Sequence, residues 1–149
     1  MGFALLMQYW RKRRSVSSQF SILVADPSRN VRDFLRRELA AEGYRVDVAG
    51  DERELFEKLN VDEPPDLLVV DLEITFGGGM ELLDRLCERV PPVPVVVHTL
   101  FTRYATHPSV LSVDAFVEKT GNPARLKMAI EKVLRKHYEH RFVSAENNL

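Results

Sequence analysis

The stretch PPDLLVVDLEI, residues 64–74, decides how this chain reads. Two prolines interrupt whatever precedes them, because proline has a fixed φ and no backbone N–H to donate. Four apolar residues follow, Leu67 to Val70, with nothing polar between them. A half-exposed strand would alternate and an amphipathic helix would show a polar face. A short unbroken apolar run fits a strand covered on both faces, the central strand of a parallel sheet. The run stops at Asp71. A carboxylate there is costly to place unless something uses it.

The same grammar repeats on either side. Residues 22–25 are an apolar run ending in Asp26-Pro27-Ser28, which reads as a second buried strand. Val31, Phe34, Leu35 and Leu39 then mark one face of a helix, and Gly43 sits at its C-terminal stop. Residues 44–49 alternate Val46 and Val48 with Arg45 and Asp47, as a strand near a sheet edge does. Asp51 with Glu54 three positions later makes a capping-box start for a helix carrying Leu55, Phe56 and Leu59.

Downstream of Asp71, three glycines precede a helical face of Leu82, Leu83, Leu86 and Val90. They have neither the Gly-Lys-Ser/Thr nor the GxGxxG spacing of a phosphate loop, and read as a flexible turn. Residues 95–98 and 115–118 are further strands. Residues 100–113 between them are ambiguous, since Pro108 limits any helix there. Asn122 is expected to cap a last helix with Pro123 at its first position, its inner face marked by Leu126, Ile130, Val133 and Leu134.

Five strand–helix alternations predict a doubly wound α/β fold with a parallel sheet and right-handed crossovers. In such sheets the site lies outside the C-terminal strand ends, where the strand order switches. The polar residues at those ends are Asp26, Asp71, Thr99 and Lys119. Together they suit phosphoryl chemistry. A carboxylate can attack phosphorus, a lysine and a hydroxyl can hold phosphoryl oxygens, and a second carboxylate can help hold Mg²⁺.

The whole chain sets bounds on this reading. Its 149 residues suit one domain, with residues 1–20 as a leader, 21–138 as the domain and 139–149 as a tail. A net charge of -1 argues against nucleic acid as the partner. The single cysteine, Cys87, allows no internal disulfide and suits a reducing cytoplasm. Residues 3–10 are largely apolar and are followed by Arg11, Lys12, Arg13 and Arg14. The stretch is too short to span a bilayer, and its charges lie on the wrong side for a signal peptide. It reads as a mobile leader or as a docking helix for anionic lipid or an acidic partner, with membrane contact expected only through residues 1–14.

Four motifs in register then resemble one family. ILVADPSRNVRDFLRRELAAEGYRV (22–46), PPDLLVVDLEI (64–74) with GGGMELLDRL (77–86), VPVVVHT (93–99) and VDAFVEKTGNPARLKMAI (113–130) resemble the receiver domains of two-component response regulators. The resemblance implies a flavodoxin-like five-stranded sheet in the order 2-1-3-4-5. It implies Asp71 as phosphoacceptor, Asp26 as the first of two adjacent acids, Thr99 and Lys119 as phosphoryl contacts, and Phe116 as the aromatic that turns inward on activation. Glu73 takes the position that supplies a backbone carbonyl to the metal. The implied partner is a histidine kinase or an output protein, and the implied state a monomer or weak homodimer. With no output domain after residue 149, a stand-alone module acting by protein contact, not an enzyme, is expected.

The departures from the pattern are chemical. The second acid of the family would stand at position 27, where the chain has Pro27, without a side-chain oxygen or an N–H. Thr75 and Thr120 stand where the family favours proline, and Leu100 where it favours a small residue. Two readings follow: a pseudo-receiver whose Mg²⁺ binding is weak or absent, or a phosphorylatable receiver in which Glu73 joins Asp26 and Asp71 as a metal ligand. A third comes from another class. Residues 71–75, DLEIT, are similar to the DxDxT nucleophile motif of haloacid-dehalogenase-like phosphatases.

Overall fold

In a computed structural model, residues 2–100 and 105–148 are described. Five strands, β1 (Ser21–Ala25), β2 (Arg45–Ala49), β3 (Leu67–Val70), β4 (Val95–Thr99) and β5 (Ala115–Glu118), form one parallel sheet in the order β2-β1-β3-β4-β5. Six α-helices accompany it among the described residues: α1 (Phe3–Ser17), α2 (Arg29–Ala41), α3 (Glu52–Leu59), α4 (Gly79–Cys87), α5 (Ala124–His137) and α6 (Glu139–Asn147). This is the doubly wound sheet that the sequence predicts, in the strand order that the family resemblance implies.

Local signals place the helices. Ser28 Oγ accepts from the Val31 N–H to open α2, and Asp51 Oδ1 accepts from the Glu54 N–H at 2.7 Å to open α3. Gly43 follows α2 with φ 102°, the left-handed turn that glycine allows without strain. A Cβ there would also lie 2.8 Å from the Arg14 carbonyl oxygen, so the same glycine lets α1 approach closely.

The sheet divides the core into two layers. Ile22, Val24, Leu67, Val69 and Val117 face α2 and α5 with Leu35, Leu39, Ile130 and Leu134. Leu23, Ala25, Leu68, Val70 and Val97 face α3 and α4 with Leu55, Leu59, Leu82 and Leu86. Successive strand residues alternate between these layers, which is why β3 is apolar throughout and β1 from Ile22 onward, while the edge strand β2 alternates with polar residues.

Two stretches differ from their sequence reading, and one left open there takes a definite form. Residues after Tyr138 fold as α6, and Phe142 is buried against Phe20, ring centroids 4.8 Å apart. With few apolar residues, α6 carries no helical period to find in the sequence. The ambiguous stretch 100–113 holds a short 3-10 helix, Pro108–Ser112, and no α-helix among the described residues, because Pro108 opens the turn; residues 101–104 lie outside the described residues. Helix α5 begins one residue late, at Ala124. Asn122 still serves its start, Oδ1 accepting from the Ala124 N–H at 2.9 Å.

Candidate functional site

The sheet delivers four polar residues to one edge. Asp26 follows β1, Asp71 follows β3, Thr99 ends β4 and Lys119 follows β5. The ladder continues past the strands to fix them: the N–H groups of Asp26, Asp71 and Lys119 donate to the carbonyls of Ala49, Ala25 and Thr99 at 3.0, 2.9 and 2.8 Å. All four are enclosed. Asp26, Asp71 and Thr99 are 2%, 4% and 0% exposed, and the Lys119 side chain is 11% exposed.

Lys119 Nζ lies 2.6 Å from Asp26 Oδ2 and 2.6 Å from Asp71 Oδ2. The other oxygens serve the backbone: Asp26 Oδ1 accepts from the Ser28 N–H at 2.8 Å, and Asp71 Oδ1 from the Glu73 N–H at 3.0 Å. One ammonium thus bridges two carboxylates, and all four carboxylate oxygens are engaged. Burial pushes the Asp26 carboxyl above its usual range, against the pull of Lys119. Burial also opposes the Lys119 charge, but its bonds to Asp26 and Asp71 outweigh that and hold its pKa above the ordinary lysine value.

Around this centre, Asp71 caps a short 3-10 helix, Leu72–Thr75, that ends at Phe76 with φ 52° and Gly77 with φ 122°. The glycines read as a flexible turn have definite uses, since a Cβ on Gly79 would come within 2.9 Å of the Leu72 Cβ. The Thr75 hydroxyl donates to the Leu72 carbonyl and the Thr120 hydroxyl to the Asn122 carbonyl. Phe116 is half-buried against the α3–α4 layer. Leu100 is 64% exposed and, with His98, Phe34, Lys119 and Pro123, lines a cavity of about 310 Å³.

Sequence reasoning missed two neighbours. Arg32 donates to the Asp26 carbonyl at 2.7 Å, and no pattern distinguishes it among the arginines of α2. His98 is buried, its Nδ1 has no hydrogen-bond partner among the described residues, and burial with the nearby Lys119 charge lowers its pKa to about 4. The ring is therefore neutral at physiological pH.

Mg²⁺ asks for several oxygen ligands in octahedral array. Pro27 supplies no side-chain oxygen, and the carboxylates of Asp26 and Asp71 are bridged by the Lys119 ammonium. Among the described residues no three His, Cys, Asp or Glu side chains gather to hold a metal ion.

Fold and site define a doubly wound α/β protein with a carboxylate–lysine centre at the switch in strand order. The profile of the response regulator receiver domain matches residues 22–131, and the chain belongs to that family of two-component signalling modules. Response regulator RR06 of Streptococcus pneumoniae is 32% identical over 120 residues, 79% of this chain and 54% of that protein. Response regulator MprA of Mycobacterium ulcerans is 38% identical over 78 residues, 52% of this chain and 33% of that one. The chain therefore spans from a third to about half of these curated relatives. Among solved structures, response regulator TrrA of Thermotoga maritima, in complex with Mg²⁺-BeF, superposes with TM-score 0.71 at 29% identity, covering 77% of this chain and 99% of that one. A second structure holds TrrA in complex with the histidine kinase ThkA, with TM-score 0.69 over the same 77% of this chain and 98% of the matched one.

Proposed function

We propose that the chain is a pseudo-receiver: a receiver-type signalling module that acts by protein contact, not catalysis, with Asp71 at the phosphoacceptor position and Mg²⁺-dependent phosphorylation impaired. The carrying observation is the Lys119 bridge between Asp26 and Asp71 beside Pro27. In this reading the ammonium supplies the positive charge that would otherwise come from a cation, and the two strand ends stay locked together. Thr99 and Lys119 keep their places at the site, and Phe116 keeps the position of the switch aromatic. The partner is a histidine kinase or an output protein, in line with the kinase complex of TrrA. A reducing cytoplasm suits the one free, exposed thiol, Cys87. We further propose a monomer or weak homodimer without a nucleic-acid partner.

The alternative, a phosphorylatable receiver using Glu73 as an added Mg²⁺ ligand, draws on the Mg²⁺-BeF complex of TrrA. The phosphatase reading has no separate observation in its favour, since DLEIT lies at the end of the third strand of a receiver-family sheet.

Addition of beryllofluoride or acetyl phosphate with millimolar Mg²⁺ separates the two. The expected result is no Asp71-dependent mass or spectral change in the wild type. Pro27→Asp, which restores a carboxylate beside Asp26, is expected to gain Mg²⁺ binding, read as a rise in melting temperature on adding the cation. Efficient Asp71-dependent modification of the wild type would overturn the proposal.

A further inference from the structure

Helix α1 is attached to the domain chiefly through its C-terminal part. Val16 is 5% exposed and joins the core cluster of Phe20 and Tyr44, and Arg13 pairs with Glu131 of α5 at 2.8 Å. Tyr9, Lys12, Arg13, Val16 and Ser17 border a cleft shared with α5 and α6. The other side of the helix faces away from the domain and is not polar. Phe3, Leu6, Met7 and Trp10 recur at the i, i+3, i+4, i+7 spacing of one helical face. Their exposures are 79%, 43%, 47% and 46%.

Charge adds a second, independent feature. Residues 1–25 contain four basic residues and no acid, a local charge of +4, so the remaining residues carry -5 of the total -1. Arg13 is engaged by Glu131, but Arg11, Lys12 and Arg14 pair with no acid among the described residues. Arg11 and Arg14 border, with Met7 and Trp10, a surface groove of about 500 Å³. The apolar stripe and two of the free bases, Arg11 and Arg14, therefore share one face.

We propose that α1 is an interfacial helix that lays this face on an anionic lipid surface, holding the receiver-type domain against a membrane. No helix among the described residues is long and apolar enough to cross a bilayer, so this contact lies in the plane of the interface. A lipid surface suits the stripe better than a second protein. The seven steps from Phe3 to Trp10 advance only about 10 Å along a helix about 10 Å across, a face on the order of 100 Å², short of the roughly 800 Å² per partner that a stable protein interface buries. Lipid needs no shape-matched partner, and side chains of this kind enter the headgroup–acyl boundary individually. Each free base adds about five-fold to partitioning onto an anionic surface and nothing onto a neutral one. The acidic remainder of the chain would be repelled by the same surface, so contact is confined to the α1 face. The proposal is independent of how Asp71 is used.

Trp10, the sole tryptophan, is a built-in probe on the proposed face. The experiment adds vesicles of phosphatidylcholine alone, or of equimolar phosphatidylcholine and phosphatidylglycerol, to the full chain. Trp10 emission and flotation are followed together. The expected result is a shift of emission to shorter wavelength and at least about tenfold more bound protein on the anionic vesicles, reversed by high salt. Arg11→Glu with Arg14→Glu, and separately Leu6→Glu with Met7→Glu, should each abolish binding while urea unfolding stays unchanged. Equal binding to neutral vesicles, or none to anionic ones at low salt, would overturn the proposal. So would an emission shift that grows with protein concentration in the absence of lipid, since a second copy would then cover the stripe. The wild-type comparison between vesicles decides the matter even if a variant misfolds.

Discussion

The Lys119 ammonium sits between two carboxylates that are 2% and 4% exposed, and the stability of the site depends on it. Removing one partner of a buried ion pair leaves uncompensated charge and costs about 3–5 kcal/mol. Lys119→Met leaves two such charges facing each other, so a loss at the upper end is expected at neutral pH. The direction with pH follows from the shifted groups. Lys119 has a folded pKa above 10.5, so its contribution is complete below that value and fades as pH climbs through the folded pKa. Asp26 has a folded pKa above 3.8, so the folded state holds this proton more tightly, and stability falls as pH rises through the interval just above 3.8. Without Lys119 that interval should move upward. Urea unfolding of Lys119→Met is expected to recover stability between about pH 7 and pH 5, where the wild type changes little. A variant as stable as wild type at pH 7 would show that the bridge contributes nothing.

At this scale the sequence was legible where a polar residue broke an apolar run. Asp26 and Asp71 ended strands of four apolar residues, and Thr99 and Lys119 stood at equivalent places. Arg32 and His98 were not legible. Arg32 acts through a backbone carbonyl that sequence does not display. His98 became unusual only when folding removed water and left Nδ1 without a partner among the described residues.

Among the elements, α6 carries the clearest lesson. Its sequence is mostly charged and polar, yet it is anchored by Phe142 stacked on Phe20, with the Arg141 guanidinium 4.3 Å from the Phe20 ring and 2.6 Å from Asp66 Oδ1. A single aromatic anchor leaves no period for pattern reading to detect. Helices α2 and α3, by contrast, announced themselves through repeated leucines and a capping side chain. Phe142→Ala is expected to cost about 3 kcal/mol, as burial of a large ring and the cavity left behind require. Chemical denaturation would measure it, and a change under about 0.5 kcal/mol would mean that α6 is not docked.

For the molecule as a whole, the fold was legible because hydrophobic patterning and topology act together. Five strand runs interleaved with helical faces, the central ones apolar throughout, leave a parallel sheet as the arrangement that covers them. The strand order 2-1-3-4-5 needed the family resemblance, because periodicity does not say which side of β1 receives β2. The packing of α1 lay beyond reach for a similar reason. Gly43 signals the end of α2 in sequence, but its second use, admitting the Arg14 backbone, exists only in three dimensions.

The contact between α6 and the start of β1 closes a long loop. The Arg141 guanidinium donates to the Gln19 carbonyl, 122 residues away, beside the Phe20–Phe142 stack. Loop-closure entropy makes such a contact late to form and early to release, relative to the sheet. The stack and the Arg141–Asp66 pair should therefore act as one latch whose opening leaves the five strands intact. Native-state hydrogen exchange should find the amides of α6 and of residues 16–20 exchanging together, through an opening of lower free energy than global unfolding. Phe142→Ala should speed both groups equally while leaving the amides of β3 at the global rate.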